Sequence, residues 1–385
     1  MEAFIVLSSF AIAILTAKSF IRFFPSILPP QYDRLVTLDG LRGFLAFSVF
    51  IHHFVITYYW KVDGVWRRPE SDIYQNFGKV GVVLFFMITG FLFIDRLISK
   101  KKVNWFFLFK SRLFRIQPLY FFALIIVLIL SLKNTNFQIG DWQSFFKDIV
   151  LWLLFYGRSI NEFADSKRII ASVDWTLKYE WLFYLSLPLI QLVFKSKILT
   201  LMIFFCGVFY LFLYPLEVLG ISSKFFLYFF FGGLTAYLLK TLRNDFNYDS
   251  TSVSIATLIL ILIITLYPRT LDLAHSILIF VLFFLITNGN SIFGILRWKS
   301  CRVLGEASYS IYLLHGIVLY VLFTEIELVD FKTASFIEYL TILPIVSIIV
   351  VIFSCLTFLT IEQPFIKLGK SGVKKKQNTV SRPTN

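Results

Sequence analysis

An all-α protein that crosses a membrane eleven times is the fold class this sequence predicts, and three observations carry it. Of 385 residues, 58% are hydrophobic, and 47 phenylalanines outnumber 23 acidic residues. Mean hydropathy is +0.77, a value that ordinary soluble domains do not reach. The apolar residues also gather in stretches near the ~20 needed to cross a bilayer as a helix, and the basic residues fall in every second connection between them.

In order, the stretches cover about 3–20, 41–60, 79–98, 116–132, 175–194, 198–219, 224–240, 252–268, 273–291, 308–324 and 338–361. The first has no basic leader and no clear small-residue cleavage site, so it reads as an anchor helix rather than a removed signal peptide. Residues 144–156 are apolar but short, and are placed as an interfacial helix. The segment DRLISKKKVNWFFLFKSRLFR, 95–115, holds seven Lys or Arg against one Asp. Further basic clusters lie at Lys195 and Lys197, Lys240 and Arg243, Arg297, Lys299 and Arg302, and in the tail from Lys367 to Arg382. These mark the cytoplasmic face. The alternate loops are short, mixed or acidic, and the longest of them, roughly 133–174, faces outside together with the N-terminus.

The net charge of +14 therefore reads as membrane topology, not as a nucleic-acid surface. Cys206, Cys301 and Cys355 give no disulfide framework and read as packing residues. The sequence has no internal repeat, no Gly-rich phosphate loop and no His/Cys cluster with metal spacing. No metal is expected, and chemistry falls to the few polar residues inside the spans.

The stretch LDGLRGFLAFSVFIHH, 38–53, carries two of the four histidines into the far end of a hydrophobic segment, where imidazole is costly. Arg42 and His53 are eleven residues apart; at ~100° per residue that is three turns plus roughly 20°. The two share a helix face and His52 points elsewhere. The 1.5 Å rise puts His53 ~16 Å from Arg42, deep in the span. Two readings stand here: a topology anchor and a packed imidazole, or a functional pair.

In the same order along the chain come FFMITGFLF at 85–93, SRLFRIQPLY at 111–120, VDWTLKYEWLFYLSLP at 173–188, LGEASYSIYLLH at 304–315 and IEQPF at 361–365. With the R-x10-H of LDGLRGFLAFSVFIHH these resemble the motifs of acyltransferase family 3, membrane proteins that O-acylate carbohydrates and other acceptors at the bacterial envelope. The resemblance runs over residues 38–365. It implies a ten-helix core, so the first helix is an addition. The implied organisation is an anchor helix and linker at 1–37, the acyltransferase domain at 38–366 and a basic cytoplasmic tail at 367–385, with no fused extracellular hydrolase-like domain. Asp174 and Lys178 depart from the family's usual small or apolar residues.

The resemblance implies acetyl-CoA or another acyl-CoA as cytosolic donor, and as acceptor a hydroxyl of an O-antigen, capsule, exopolysaccharide or lipid-linked glycan at the bacterial cell membrane. His53 suits a base or an acyl carrier. Arg42, Arg112 and Arg115, at the cytoplasmic end, suit the coenzyme phosphates, although positive-inside anchoring accounts for Arg112 and Arg115 equally. Glu180, counted from the outer end of its span, comes level with His53 and suits a partner that orients the imidazole; pairing with Lys178 or capping beside Asp174 is its other reading. His315 reads as an interhelical hydrogen bond or a catalytic group, and His275 as interfacial. Glu362 and Pro364 are expected to end the last helix, and Trp60, Trp66, Trp142 and Tyr267 to form an interfacial belt. A polytopic glycolipid flippase is the alternative function, but the broken helices and repeated halves it calls for are not evident.

Overall fold

The computed structural model describes residues 1–28, 35–99, 103–193, 206–207, 209–210, 212–241 and 245–370. The first part of the expected span at 198–219 falls outside them, as do Lys195, Lys197, Arg243 and most of the basic tail. The described chain is an all-α membrane protein. Among the described residues six helices are long and apolar enough to cross a bilayer: α1 (Glu2–Phe23), α2 (Val36–Asp63), α3 (Asp72–Ile98), α4 (Trp105–Asn134) and two composite helices, Ser308–Glu325 and Leu343–Lys370.

Around these pack α5 (Trp142–Leu153), the single turn α6 (Ser166–Ile169), α7 (Trp175–Val193), α8 (Phe226–Thr241), α9 (Thr251–Leu266), α10 (Leu273–Thr287) and α11 (Lys299–Glu306). The composite helices begin as α12 (Ser308–Tyr320) and α14 (Leu343–Thr357), and α13 (Phe336–Thr341) precedes the latter. A two-residue hairpin ladder, Glu217–Val218 against Ile221–Ser222, makes up the described sheet.

Helices α2, α3 and α12 form the centre, with most of each span buried in protein, whereas α1 and α4 turn mainly to lipid. Gly90 of α3 and Gly232 of α8 bring two backbones together: a Cβ at Gly90 would fall on the Phe229 carbonyl, and one at Gly232 on the Met87 carbonyl. Phe86 and Phe183 then stack on Phe229 at centroid distances of 4.6 and 4.5 Å. Close backbone approach with ring packing substitutes for the hydrophobic driving force that lipid removes.

Several expectations are corrected. The basic segment before residue 116 is helical from Trp105, so α4 carries Arg112 and Arg115 on its first turns. Lys299 to Glu306, expected as loop, forms a helix in which Arg302 is buried. Pro364 does not end the last helix, which runs on to Lys370. A wide π-turn at Phe358–Glu362 just precedes it, a place where the missing proline N–H is accommodated. The break lies earlier, between α13 and α14, with Pro344 in the first turn of α14. The interfacial helix forms as α5, capped by Asp141 through Gln143 N and Ser144 N at 3.2 and 2.8 Å; hydrogen bonds from Ser144 and Gln143 hold the Asp141 carboxyl below the ordinary carboxylate range.

The end of the long segment expected outside, residues 165–174, does not lie on the surface. Ile160, Ile169, Ile170 and Val173 are buried, and the Ile170–Ala171 backbone rests on Gly316 of α12 so closely that a Cβ there would collide with it. The segment dips into the bundle before α7 begins. That displacement matters for the site.

Candidate active site

Helix α2 meets α12 at both Arg42 and His53. Near the expected cytoplasmic end, Arg42 Nη2 donates to Ser308 Oγ at 2.9 Å, and Asp39 lies 3.9 Å from the guanidinium. Toward the other end, His53 Nδ1 is 3.0 Å from His315 Nε2, and each ring also meets the carbonyl one turn earlier on its own helix, Val49 O at 3.0 Å and Ile311 O at 2.9 Å. His52 faces α3 instead. Its Nδ1 donates to Tyr74 O at 2.8 Å, and its ring fills the space beside Gly78, where a Cβ would lie 2.5 Å from Cδ2.

A cavity of about 630 Å³ opens beside Arg42, between α2, α3, α4, α7 and α12. Arg42, Arg112, Arg115, Glu180, Tyr184 and Tyr309 supply much of its polar lining. Tyr309 Oη donates to Ile116 O at 3.0 Å, fixing the arginine-bearing part of α4 to α12, and the Arg112 guanidinium lies 5.3 Å from the Phe93 ring centre. Of the acids that line the cavity, Asp95 is taken by Lys240 at 2.9 Å, and Asp39 and Glu180 share the space with the three guanidiniums; Glu362 also lies in the field of Arg115 and Arg42. At the far end Tyr312 Oη meets Thr176 Oγ1 at 3.0 Å. His315 comes one turn further along α12, its ring centre 6.4 Å from that of Tyr312.

Glu180 and His53 are not brought together. The Glu180 carboxylate accepts from Tyr184 Oη at 2.9 Å and sits in the field of Arg112, Arg115 and Arg42. The re-entrant segment is the reason. Thr176 is level with Tyr312, so Glu180, four residues on in the opposite direction to His315, comes ~10 Å nearer the arginines than the histidine pair at 1.5 Å per residue. Lys178 does not pair with it either; its ammonium lies 4.0 Å from the Tyr156 ring centre.

Trp66 leaves the expected belt for the site. Gly64 ends α2 at φ 73°, a left-handed position that suits glycine, and the chain turns back so that the indole stacks over His53 at 6.3 Å between centres. Arg67 holds this turn through Asp63 and Glu70, each at 2.7 Å. Trp60 packs on Trp66 and Tyr320. His275, in the first turn of α10, is packed within the protein: Leu271 N donates to its Nδ1 and its Nε2 donates to Ile264 O, both at 3.1 Å. Glu362 is buried against Ser310, not paired with a loop.

Tyr184, Tyr309, Tyr312 and Thr176 carry no role in the sequence reading. A signal for two of them was present, because Tyr309, Tyr312 and His315 recur every three residues and so line one side of a helix.

The family model for acyltransferase family 3, described as an acyltransferase domain, matches residues 35–359. Acyltransferase MdmB of Streptomyces mycarofaciens is 28% identical over 168 residues, 42% of this chain and 40% of that protein. The chain thus aligns with about two fifths of that relative's length. No solved structure matches it.

Proposed function

The chain belongs to acyltransferase family 3, and from that premise we propose that it is a membrane O-acyltransferase, carrying an acyl group, acetyl first among them, from cytosolic acyl-CoA to a hydroxyl of a carbohydrate of the bacterial envelope. The observation that supports this most directly is the cavity that begins at Arg42, Arg112 and Arg115 and ends at Tyr312, one turn short of His53 and His315.

Guanidiniums bind phosphates through paired, charge-assisted hydrogen bonds, so the arginine end receives the coenzyme's phosphates and the thioester extends toward Tyr312. Glu180, bonded to Tyr184, sets one carboxylate among these guanidiniums. His53 takes the acceptor hydroxyl proton as the oxygen bonds to the thioester carbonyl carbon. The carbon–sulfur bond breaks, and the proton passes from His53 to the departing thiolate, which restores the neutral imidazole. The outer rings of Trp66 and Trp60 bound the side from which a sugar approaches.

Mass spectrometry of envelope glycans from cells with and without this protein tests the reading. An acetyl-sized increment present only with the protein is expected, and identical glycans count against it. Arg112→Ala and Arg115→Ala are each expected to weaken acetyl-CoA binding ~10-fold or more in detergent, in line with the ~1.5–3 kcal/mol of a hydrogen bond to a charged group, while melting near the wild-type temperature. Unchanged binding would make them topology anchors only. The orientation is checked separately: a reporter after residue 370 is expected in the cytosol and one inserted at Phe137 outside. The reverse pattern would turn the arginine cavity away from the donor.

A further inference from the structure

We propose that His315 is a positioning residue for His53: it selects the nitrogen that carries the His53 proton, leaving Nε2 as the base. This deepens the acyltransfer reading and rests on it for the identity of the proton that Nε2 removes, but its central claim concerns the protein alone.

The assignment follows from counting donors and acceptors. His315 Nδ1 lies 2.9 Å from Ile311 O and a carbonyl only accepts, so Nδ1 carries hydrogen and the Nε2 of a neutral His315 presents a lone pair. That lone pair faces His53 Nδ1 at 3.0 Å. His53 Nδ1 also lies 3.0 Å from Val49 O, so its N–H is shared between two acceptors. The opposite assignment, with hydrogen on His315 Nε2, would set bare nitrogens against both Val49 O and Ile311 O. Two such lone-pair contacts exclude it. The His53 lone pair is therefore at Nε2, away from His315.

The same contact serves the protonated state. When His53 takes a proton at Nε2 it keeps Nδ1–H on His315, whose lone pair stabilises the imidazolium as a carboxylate does in hydrolase triads. A neutral partner does this without burying an anion, which would be costly beside fully enclosed His315. Two imidazoliums 3.0 Å apart would repel strongly, so the pair accepts one proton at a time. The other ionisable groups facing it are His52, 4.8 Å away between ring centres, Lys79 and Tyr312; each leaves the donor count unaltered.

The chain's four histidines make this measurable by nitrogen-15 NMR of histidine-labelled protein in detergent. Three hydrogens on Nδ1 are expected, at His52, His53 and His315, and one on Nε2, at His275, with signals assigned by single replacements. His315→Leu leaves Val49 O as the remaining acceptor for the His53 Nδ1–H, and is expected to raise the share of His53 protonated on Nε2 and to lower kcat for thiol release from acetyl-CoA by membranes ~100-fold with KM for acetyl-CoA unchanged, since the arginine cavity is untouched. His315→Gln returns an acceptor near the Nε2 position and is expected to restore both the tautomer and most of kcat, which a purely packing role would not produce. A wild-type His53 protonated on Nε2 overturns the proposal, as does a His315→Leu protein with the wild-type tautomer and kcat. Wild-type membranes that release no thiol would count against acyl transfer, and the spectrum would still decide the positioning role.

Discussion

Alanine at position 53 is expected to abolish acyl transfer while leaving the protein folded. A positioned base contributes ~100-fold or more, and His315 does not stand in the same place: its Nε2 lies 3.0 Å behind the Nδ1 of His53, on the side of the ring away from the proposed base nitrogen. His53 is only half-buried, so truncation opens space beside Trp66 rather than a void in the core. His52→Ala has the opposite profile. Its ring is packed on Gly78 and bonded to Tyr74 O, so removal leaves a cavity and an unpaired carbonyl, at a cost of ~1–3 kcal/mol in stability. Less folded protein is expected, with turnover per folded molecule near wild type. The comparison is made on purified protein normalised for the folded fraction; equal loss per folded molecule in both variants would make the imidazole at 53 structural.

Gly90→Val is expected to have the largest effect on folding. The Cβ would meet the Phe229 backbone, not a side chain that can swing away, so α3 and α8 must separate. The Gly232 contact with Met87 O, three residues away in the same seam, and the ring stack on Phe229 are lost with it. Overpacking costs ~1–3 kcal/mol where neighbours can adjust, and with backbone on both sides the upper end applies. Gly140→Val is the control: a Cβ there meets nothing within 4 Å, and its effect is expected within about 0.5 kcal/mol. Thermal melting in detergent checks both. Equal melting temperatures would mean that the α3–α8 seam yields and that the glycines are not required for its approach.

The face of α2 was legible because it is a local property. Helical rise and rotation alone separate His53 from His52, and the structure turns the first to α12 and the second to α3. Grouping Arg112 and Arg115 with Arg42 also needed little beyond periodicity and a shared end of the bundle. The depth of Glu180 did not follow from counting residues. A count from the end of a span assumes that every helix starts at the same plane, and residues 165–174 fold into the bundle and start α7 deeper.

What the sequence determined by itself is the class and the inventory. Burying this many apolar side chains in helices of spanning length is a sum over residues, and neighbouring residues suffice to compute it. The partners were decided only in three dimensions. His315 reaches His53 across 262 positions of chain, Trp66 reaches it through one left-handed glycine, and Glu180 joins the arginines because of where a loop dips. Each depends on helix tilt, helix starting depth or loop path. Those are set by the packing of many residues at once, such as Gly316 against Ile170 and Gly90 against Phe229, and no single stretch of sequence contains both sides of the contact.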